Sequence, residues 1–534
     1  MNARDLLQLA GANRWWERLS FLIAIALVSA VPLLWPEIPP LVDVPGHIGR
    51  YRVELDLHSS ADLQRYYDFR WALIGNLGVD ILILPLAPII GLEPAVKLIV
   101  AAIPPLTVLG MFAIAREVHG RVPPTALFAV PLVYSHPFNF GFINFTLSIA
   151  LALLAFALWL RLSRRDLVKI RTVAFVLIAA ALWVVHAFGW GFLGLLAFSA
   201  EIVRLREEGK GWGATFLATI IHVIPISLPL LLMILWRSGN VASDTGPILL
   251  LWKLYALFAA LRDRWMLWDS IAIAAVFVLI GTAAFDRRFS FSRKLIFPAV
   301  ALGIAFLVLP YKLFGSAYAD MRLIPYVILL TILAIRVREP APEMESAVAL
   351  LGCAFIFARL AGNTASFFMA DLDTREELRA LDHVPRGAAV LTLASSDCTS
   401  AWELPRHWHL GALVIARKNG FSNDQWQLPG AQLLSVRYRA AGPFQDARSS
   451  LVFSSACATK LDPVRGSAPV NTIERSLSKF PRNAFGYVWL IEPRDPSFKI
   501  PQDLTEVWRG RNSLLYKVQS PTRHKRQQAS NLRD

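Results

Sequence analysis

The sequence predicts an all-α polytopic membrane bundle with a C-terminal α/β soluble domain, and three observations carry that reading. Of 534 residues, 55% are hydrophobic and 17% are charged, against roughly 25% charged in ordinary soluble chains, so the apolar surplus needs lipid as its solvent. The apolar residues fall in blocks such as Phe21 to Trp35, Phe142 to Leu160 and Leu295 to Pro310, the roughly 17 to 25 residue scale of a bilayer crossing. After Gly362 the blocks stop and short strand-like runs replace them.

About eleven spans fit the pattern, at roughly 17–36, 95–115, 123–136, 142–161, 172–187, 190–204, 213–236, 269–285, 295–311, 322–336 and 345–362. Residues 1–16 precede the bundle, 36–94 form a long loop after the first span, 363–518 form the α/β domain, and 519–534 read as a disordered basic tail. Residues 14–30 also have the layout of a signal peptide with a Val-Ser-Ala ending, but the apolar run continues through Trp35. They are therefore read as the first span.

The formal charge of +15 does not form a continuous basic stripe, which argues against nucleic acid. The cations instead cluster between apolar blocks. Arg161, Arg164, Arg165, Lys169 and Arg171 make the densest cluster, and the positive-inside rule places it in the cytoplasm. Counting spans outward, Arg116 with Arg121, Arg204 with Arg206 and Lys210, Arg287 to Lys294, and Arg336 with Arg338 fall on the same side. The long first loop and the chain after Gly362 then lie on the exported side, the periplasm if this is a bacterial inner membrane. The segment Leu77 to Ile90, with Asp80 and two prolines, reads as interfacial or re-entrant. Three cysteines exclude a disulfide scaffold; Cys353 reads as a packing residue, and Cys398 and Cys457 are able to pair in an oxidising compartment.

Residues with chemical potential collect at the exported ends of the spans. In the first loop, Ile48, Tyr51, Leu55 and His58 recur at helical spacing and predict an amphipathic helix lying on the membrane surface. At its head stands Asp43-Val-Pro-Gly-His47. A helix starting at Pro45 turns Asp43 and His47 to one side, and a carboxylate there suits a general base for an attacking hydroxyl. The alternative is that Asp43 only caps the helix and His47 packs beneath it. Tyr66, Tyr67, Asp80, His136, His186 and Asp320 are the candidate lining of a substrate cavity, with Asn139, Asp244, Asp263 and Arg264 near them. In Tyr311 to Arg322, Lys312 and Arg322, with Arg262, suit a phosphate, since guanidinium binds it bidentately and ammonium acts as a point charge. Snorkelling of Lys312 and an Asp320–Arg322 pair are the competing structural reading.

With these residues in view, the chain resembles the membrane-integral glycosyltransferases of the GT-C fold class, the group that includes protein O-mannosyltransferases and the aminoarabinose transferase of lipid A. The resemblance rests on the acid just after span one in Leu-Val-Asp43-Val-Pro-Gly-His-Ile, the interfacial segment Asn76 to Gly91, the basic turn Ala113-Ile-Ala-Arg-Glu-Val-His-Gly, and the exported domain that closes the chain. It implies transfer of a sugar from a polyprenyl-phosphate donor to an envelope glycan, lipid or protein, with Asp43 as base and His47 orienting the acceptor. Some relatives carry an Asp-Glu pair where this chain has a histidine. No cofactor is thereby assigned, and dependence on a divalent metal stays open.

In the α/β domain, Thr374 to Leu381 reads as helix, and Ala388 to Leu393, Leu413 to Ala416, Leu451 to Ser454, Tyr487 to Ile491 and Ser513 to Val518 read as strands. Trp402, His407, Trp408, His409 and Trp426 suit either a carbohydrate-facing surface or packing against the bundle, and His407 with His409 is too small a set for a metal site. Three rival functions remain at this stage. They are a polymerase or ligase of lipid-linked glycans, a transporter or flippase for them, and a non-catalytic subunit of an envelope polysaccharide assembly. No internal repeat of the transporter kind is visible, and no Gly-rich nucleotide loop follows a strand.

Overall fold

The structure is a computed structural model describing residues 14–235, 245–313, 316–338, 342–397, 401–457, 471–493 and 498–519. Asp244, Cys398 and the tail beyond 519 lie outside the described residues. The chain divides into two compact units: Met1–Pro36, Leu73–Leu82 and Lys97–Phe368 form the first, and Glu37–Ala72, Ile83–Val96 and Met369–Asp534 form the second.

The first unit is a polytopic membrane bundle. Seven helices among the described residues are long and apolar enough to cross a bilayer: Leu92–His119, Ile143–Arg164, Val168–Val185, Ala187–Glu207, Trp212–Leu231, Met266–Phe285 and Pro342–His383. Shorter apolar helices run over Leu19–Leu33, Gly78–Ile90, Leu250–Leu261 and Met321–Ala334. The expected span at 123–136 is instead a tight 3₁₀ helix, Pro124–Tyr134, with Pro131 inside it lacking the amide donor an α-helix needs there. Val173, Leu177, Val278 and Ile304 turn outward, an arrangement only lipid makes favourable. Inside, helices approach at small residues: a Cβ built at Gly110 stands 2.8 Å from Leu153, and one at Gly352 stands 2.7 Å from Leu127.

The basic clusters are tied together at one end of this bundle. Arg121 pairs with Glu17 and Glu345, each at 2.9 Å, Arg164 with Glu117 at 2.6 Å, Arg171 with Glu201 at 3.3 Å and Lys294 with Glu207 at 3.6 Å. Phe289–Phe291 pairs antiparallel with Ile335–Val337, which joins the last two clusters. The helices that start or end there carry Asn144, His186 and Arg322 toward their opposite ends.

The second unit is built on a six-stranded mixed sheet. Its central strand, Ala389–Ser396, is buried along almost its whole length, as a strand covered on both faces must be. It pairs parallel with Phe421–Ser422, Leu451–Phe453 and Tyr487–Ile491. Ser513–Val518 adds antiparallel to Tyr487–Ile491, and Leu504–Arg509 adds to Ser513–Val518. The expected strand at Leu413 to Ala416 is a helix, Leu413–Lys418, closed by Asn419 at a φ of 51°. A four-residue apolar run does not distinguish strand from buried helix.

Residues of the first loop belong to this second unit. Tyr67–Phe69 pairs antiparallel with Leu434–Val436. The amphipathic helix forms as expected, over Val44–Asp56, but it does not lie bare on a membrane surface. Its buried face, Ile48 with Tyr51, packs against Leu413–Lys418, where Arg52 Nε donates to the Ala416 carbonyl at 3.0 Å. Cys457 is disulfide-bonded and Cys353 is a free thiol.

Candidate functional site

Asp43 sits at the head of the helix Val44–Asp56, where Pro45 in the first turn pre-sets the entry. Its side chain makes no capping hydrogen bond, so the purely capping reading loses its physical basis. What approaches the carboxylate is an imidazole from far along the chain: His409 Nε2 lies 3.7 Å from Asp43 Oδ1. The other ring nitrogen, His409 Nδ1, is 2.9 Å from Asp424 Oδ1. Asp43, His409 and Asp424 therefore form a carboxylate–imidazole–carboxylate line within the α/β unit.

The line is buried at one end and partly exposed at the other. Asp424 is fully buried, His409 nearly so, and the Asp43 side chain is 25% exposed. Asp424 also accepts from the Ala412 amide at 3.2 Å and from Ser450 Oγ at 3.2 Å, while its own amide donates to Ser422 Oγ. Beneath it, Asn423 accepts from the Thr392 amide of the central strand at 2.7 Å. Three residues before Asp43, the Pro40 carbonyl accepts from Arg406 Nε at 2.6 Å. Gly46 faces the imidazole, and a Cβ placed there would stand in ordinary van der Waals contact with His409, at 3.8 Å. Burial works against the imidazolium, but the Asp424 charge, its hydrogen bond and Asp43 outweigh it and hold His409 above the ordinary imidazole range.

His47, expected beside Asp43, stacks on Tyr51 with ring centroids 6.1 Å apart. Tyr66 and Tyr67 are core residues of the same unit. Tyr66 Oη donates to the Gly387 carbonyl at 2.7 Å, and Tyr67 Oη accepts from the Ser422 amide at 3.2 Å, close to the network under Asp424. Trp426 meets His409 edge-on at 6.3 Å, and His407 bonds the Ser395 carbonyl at 2.7 Å.

The other expected residues lie in the bundle unit. Arg322 stands 4.0 Å above the Phe142 ring and donates to Ser316 Oγ at 2.9 Å and the Ala317 carbonyl at 3.2 Å. Phe145 and Phe188 flank the same guanidinium. The acid expected to pair with it, Asp320, is instead bonded to Lys253 Nζ at 3.0 Å and caps Met321, so the ion pair that fixes this loop is Lys253–Asp320. Lys312 accepts from the Gly246 amide through its carbonyl. The Arg262 carbonyl accepts from Asn139 at 3.2 Å. His186 caps the helix Ala187–Glu207 by accepting from the Phe188 amide at 3.1 Å. His136 is buried against Phe140, and Asp80 is buried beside Asn144, whose Nδ2 lies 3.4 Å from it.

Sequence reasoning missed Asp424, Lys253 and Asn144. Ser-Asn-Asp after an apolar run signals a turn at 422–424, but nothing in linear spacing connects residues 43, 409 and 424. Among the described residues no group of three or more His, Cys, Asp or Glu is disposed to hold a metal ion.

No protein-family model matches the sequence, and no curated protein matches it. Among solved structures, the chain is similar to ArnT from Cupriavidus metallidurans bound to undecaprenyl phosphate, at 13% identity and a TM-score of 0.44, covering 93% of this chain and 97% of that one. It is similar to the apo state of the same protein at 13% identity and a TM-score of 0.43, again covering 93% and 97%.

Proposed function

We propose that this protein is an integral membrane glycosyltransferase that moves a sugar from a polyprenyl-phosphate donor to an envelope acceptor on the exported face, which in a bacterium is the periplasmic side of the inner membrane. The observation that carries the reading is the Asp43 carboxylate, which is released from helix capping, partly exposed, and backed by a buried imidazole–carboxylate pair. A carboxylate so placed accepts the proton of an attacking hydroxyl. The acceptor oxygen bonds to the anomeric carbon as the bond from that carbon to the phosphate oxygen breaks, and the proton goes to Asp43. The leaving group departs as polyprenyl phosphate. Its charge needs a cation, the role we assign to Arg322 with help from Lys312 and Arg262: a guanidinium stacked on Phe142 and bonded to Ser316 and Ala317 keeps a fixed plane, the geometry a phosphate is recognised by.

The orientation belongs to the same reading. The end of the bundle that gathers the basic clusters is the cytoplasmic one, and the polar ends of the same helices face the exported side, where the donor's phosphate would sit.

Lipid-linked glycan profiling of a strain lacking the gene tests the function. The expected result is accumulation of one polyprenyl-phosphate sugar together with loss of that sugar from an envelope glycan, lipid or protein, restored by the wild-type gene. An unchanged profile of both lipid-linked sugars and envelope sugars contradicts it.

A further inference from the structure

Resting on the reading of Asp43 as base, we propose that His409 and Asp424 are its positioning residues and form a proton relay, with His409 Nε2 taking over the proton that Asp43 receives from the acceptor hydroxyl. The geometry that assigns this role is directional. Asp424 is buried and engages His409 Nδ1 at 2.9 Å, so in the neutral ring Nδ1 carries the proton and Nε2 is the acceptor, 3.7 Å from Asp43 Oδ1, a separation that closes to hydrogen-bond length as the proton passes. An imidazole whose one nitrogen is tied to a buried carboxylate presents the other as an acceptor, the arrangement that orients a histidine in nucleophile–base–acid triads.

The charge balance closes within the line. The relay starts from the state populated above the His409 ionisation, with Asp43 and Asp424 anionic and His409 neutral; burial pushes the Asp424 carboxyl up, and its hydrogen bonds to His409, Ser450 and the Ala412 amide oppose that. After the hydroxyl proton reaches Asp43 and passes to Nε2, the imidazolium lies between two carboxylates and Asp43 is again a charged base. The structure supplies what stabilises that imidazolium: Asp424 on the turn after Phe421–Ser422, itself held by Ser450 and the Ala412 amide, and Asp43 at the head of the facing helix. Asp424 and Asp43 are the carboxylates whose charge favours the imidazolium. Of the three groups, Asp43 alone has appreciable exposure, so the proton enters and leaves by one door.

The sign of the pH effect follows. A relay needs His409 neutral at rest, so transfer falls as pH drops through its ionisation, which the two carboxylates place above the ordinary value of about 6.5. Removing either carboxylate charge moves that acidic limb to lower pH. A histidine that only packs the domain would leave the profile of the reaction unmoved.

Two measurements on the purified full-length protein and its membranes test the relay. In the first, the histidines are isotope-labelled and titrated by NMR, His409 being identified by the resonance lost in His409→Gln, or in His409→Asn should the first not fold. The expected midpoint lies above about 6.5 and falls by about half a unit or more in Asp43→Asn. This reading needs no substrate. A midpoint that Asp43→Asn leaves in place shows that the two groups are uncoupled and overturns the relay. In the second, sugar transfer in membranes from expressing cells is followed against pH. His409→Gln should lower turnover by roughly tenfold or more and abolish the acidic limb while leaving donor KM unchanged, and Asp424→Asn should shift the limb to lower pH. Wild-type turnover and profile in His409→Gln, alongside an inactive Asp43→Asn, overturns the relay alone. A fully active Asp43→Asn removes the base reading on which it rests.

Discussion

Arg322 combines a cation with three aromatic neighbours and two hydrogen-bond acceptors. Those contacts orient a planar group, and a lysine ammonium in its place keeps the charge but neither the stacking nor the fork. Arg322→Ala should therefore weaken binding of a polyprenyl phosphate by roughly a hundredfold, and Arg322→Lys by roughly tenfold, read as the Kd of a short-chain polyprenyl phosphate by calorimetry in detergent. Equal affinity in all three proteins would assign Arg322 to holding the loop alone. At this scale the sequence was informative about residue types and silent about partners. Asp43 and Arg322 stood out because charge next to a span is costly and needs a reason. Lys253, set within the apolar run Leu250–Phe258, raises the same question, and only the fold answers it: it neutralises Asp320 through a 3.0 Å contact.

At the scale of elements, the helix Val44–Asp56 shows what periodicity contains. The spacing of Ile48, Tyr51 and Leu55 records one apolar face and its period, but not what covers it. A lipid surface and the helix Leu413–Lys418 are equally apolar, so the pattern reads the same for both. Leu413–Lys418 itself is too short to show a period at all, and its four apolar residues read as strand until Asn419 is seen to close a helix. The contact between these two helices sets the distance from Asp43 to His409, and Gly49 is where it is tightest: a Cβ there stands 2.8 Å from the Ala412 carbonyl oxygen. Helix propensity alone makes Gly49→Ala stabilising by about 0.5–1 kcal/mol. The fold requires the reverse. Gly49→Ala should lower the Tm in a thermal melt and lower turnover with little change in donor affinity, because the backbone oxygen it meets belongs to the segment that carries His409. A raised Tm would show that this contact yields without cost.

At the scale of the whole molecule, composition and block length made the membrane class and the α/β terminus legible, since both are bulk properties of the sequence. The grouping of residues 37–72 with residues beyond 369 was not legible, because a contact between positions more than three hundred apart leaves no local trace. The basic clusters illustrate the middle ground. The positive-inside rule placed them on one side, and ion pairs such as Arg121–Glu345 and Lys294–Glu207 join them at one end of the bundle. The expected topology puts Lys169 in the cytoplasm and Asp382 on the exported face. Reporter fusions at the two positions should give opposite signals, and the same signal from both would invert half of the bundle.

The central claim is that Asp43 is the base of a sugar transfer, and the most direct measurement is turnover of purified Asp43→Asn. Asparagine matches aspartate in size and serves as well at a helix head, so fold, Tm and donor affinity should stay at wild-type values. Without a charged oxygen to receive the hydroxyl proton, transfer should fall by roughly a hundredfold or more at saturating substrate. A folded, donor-binding Asp43→Asn protein that transfers sugar at the wild-type rate would contradict the account.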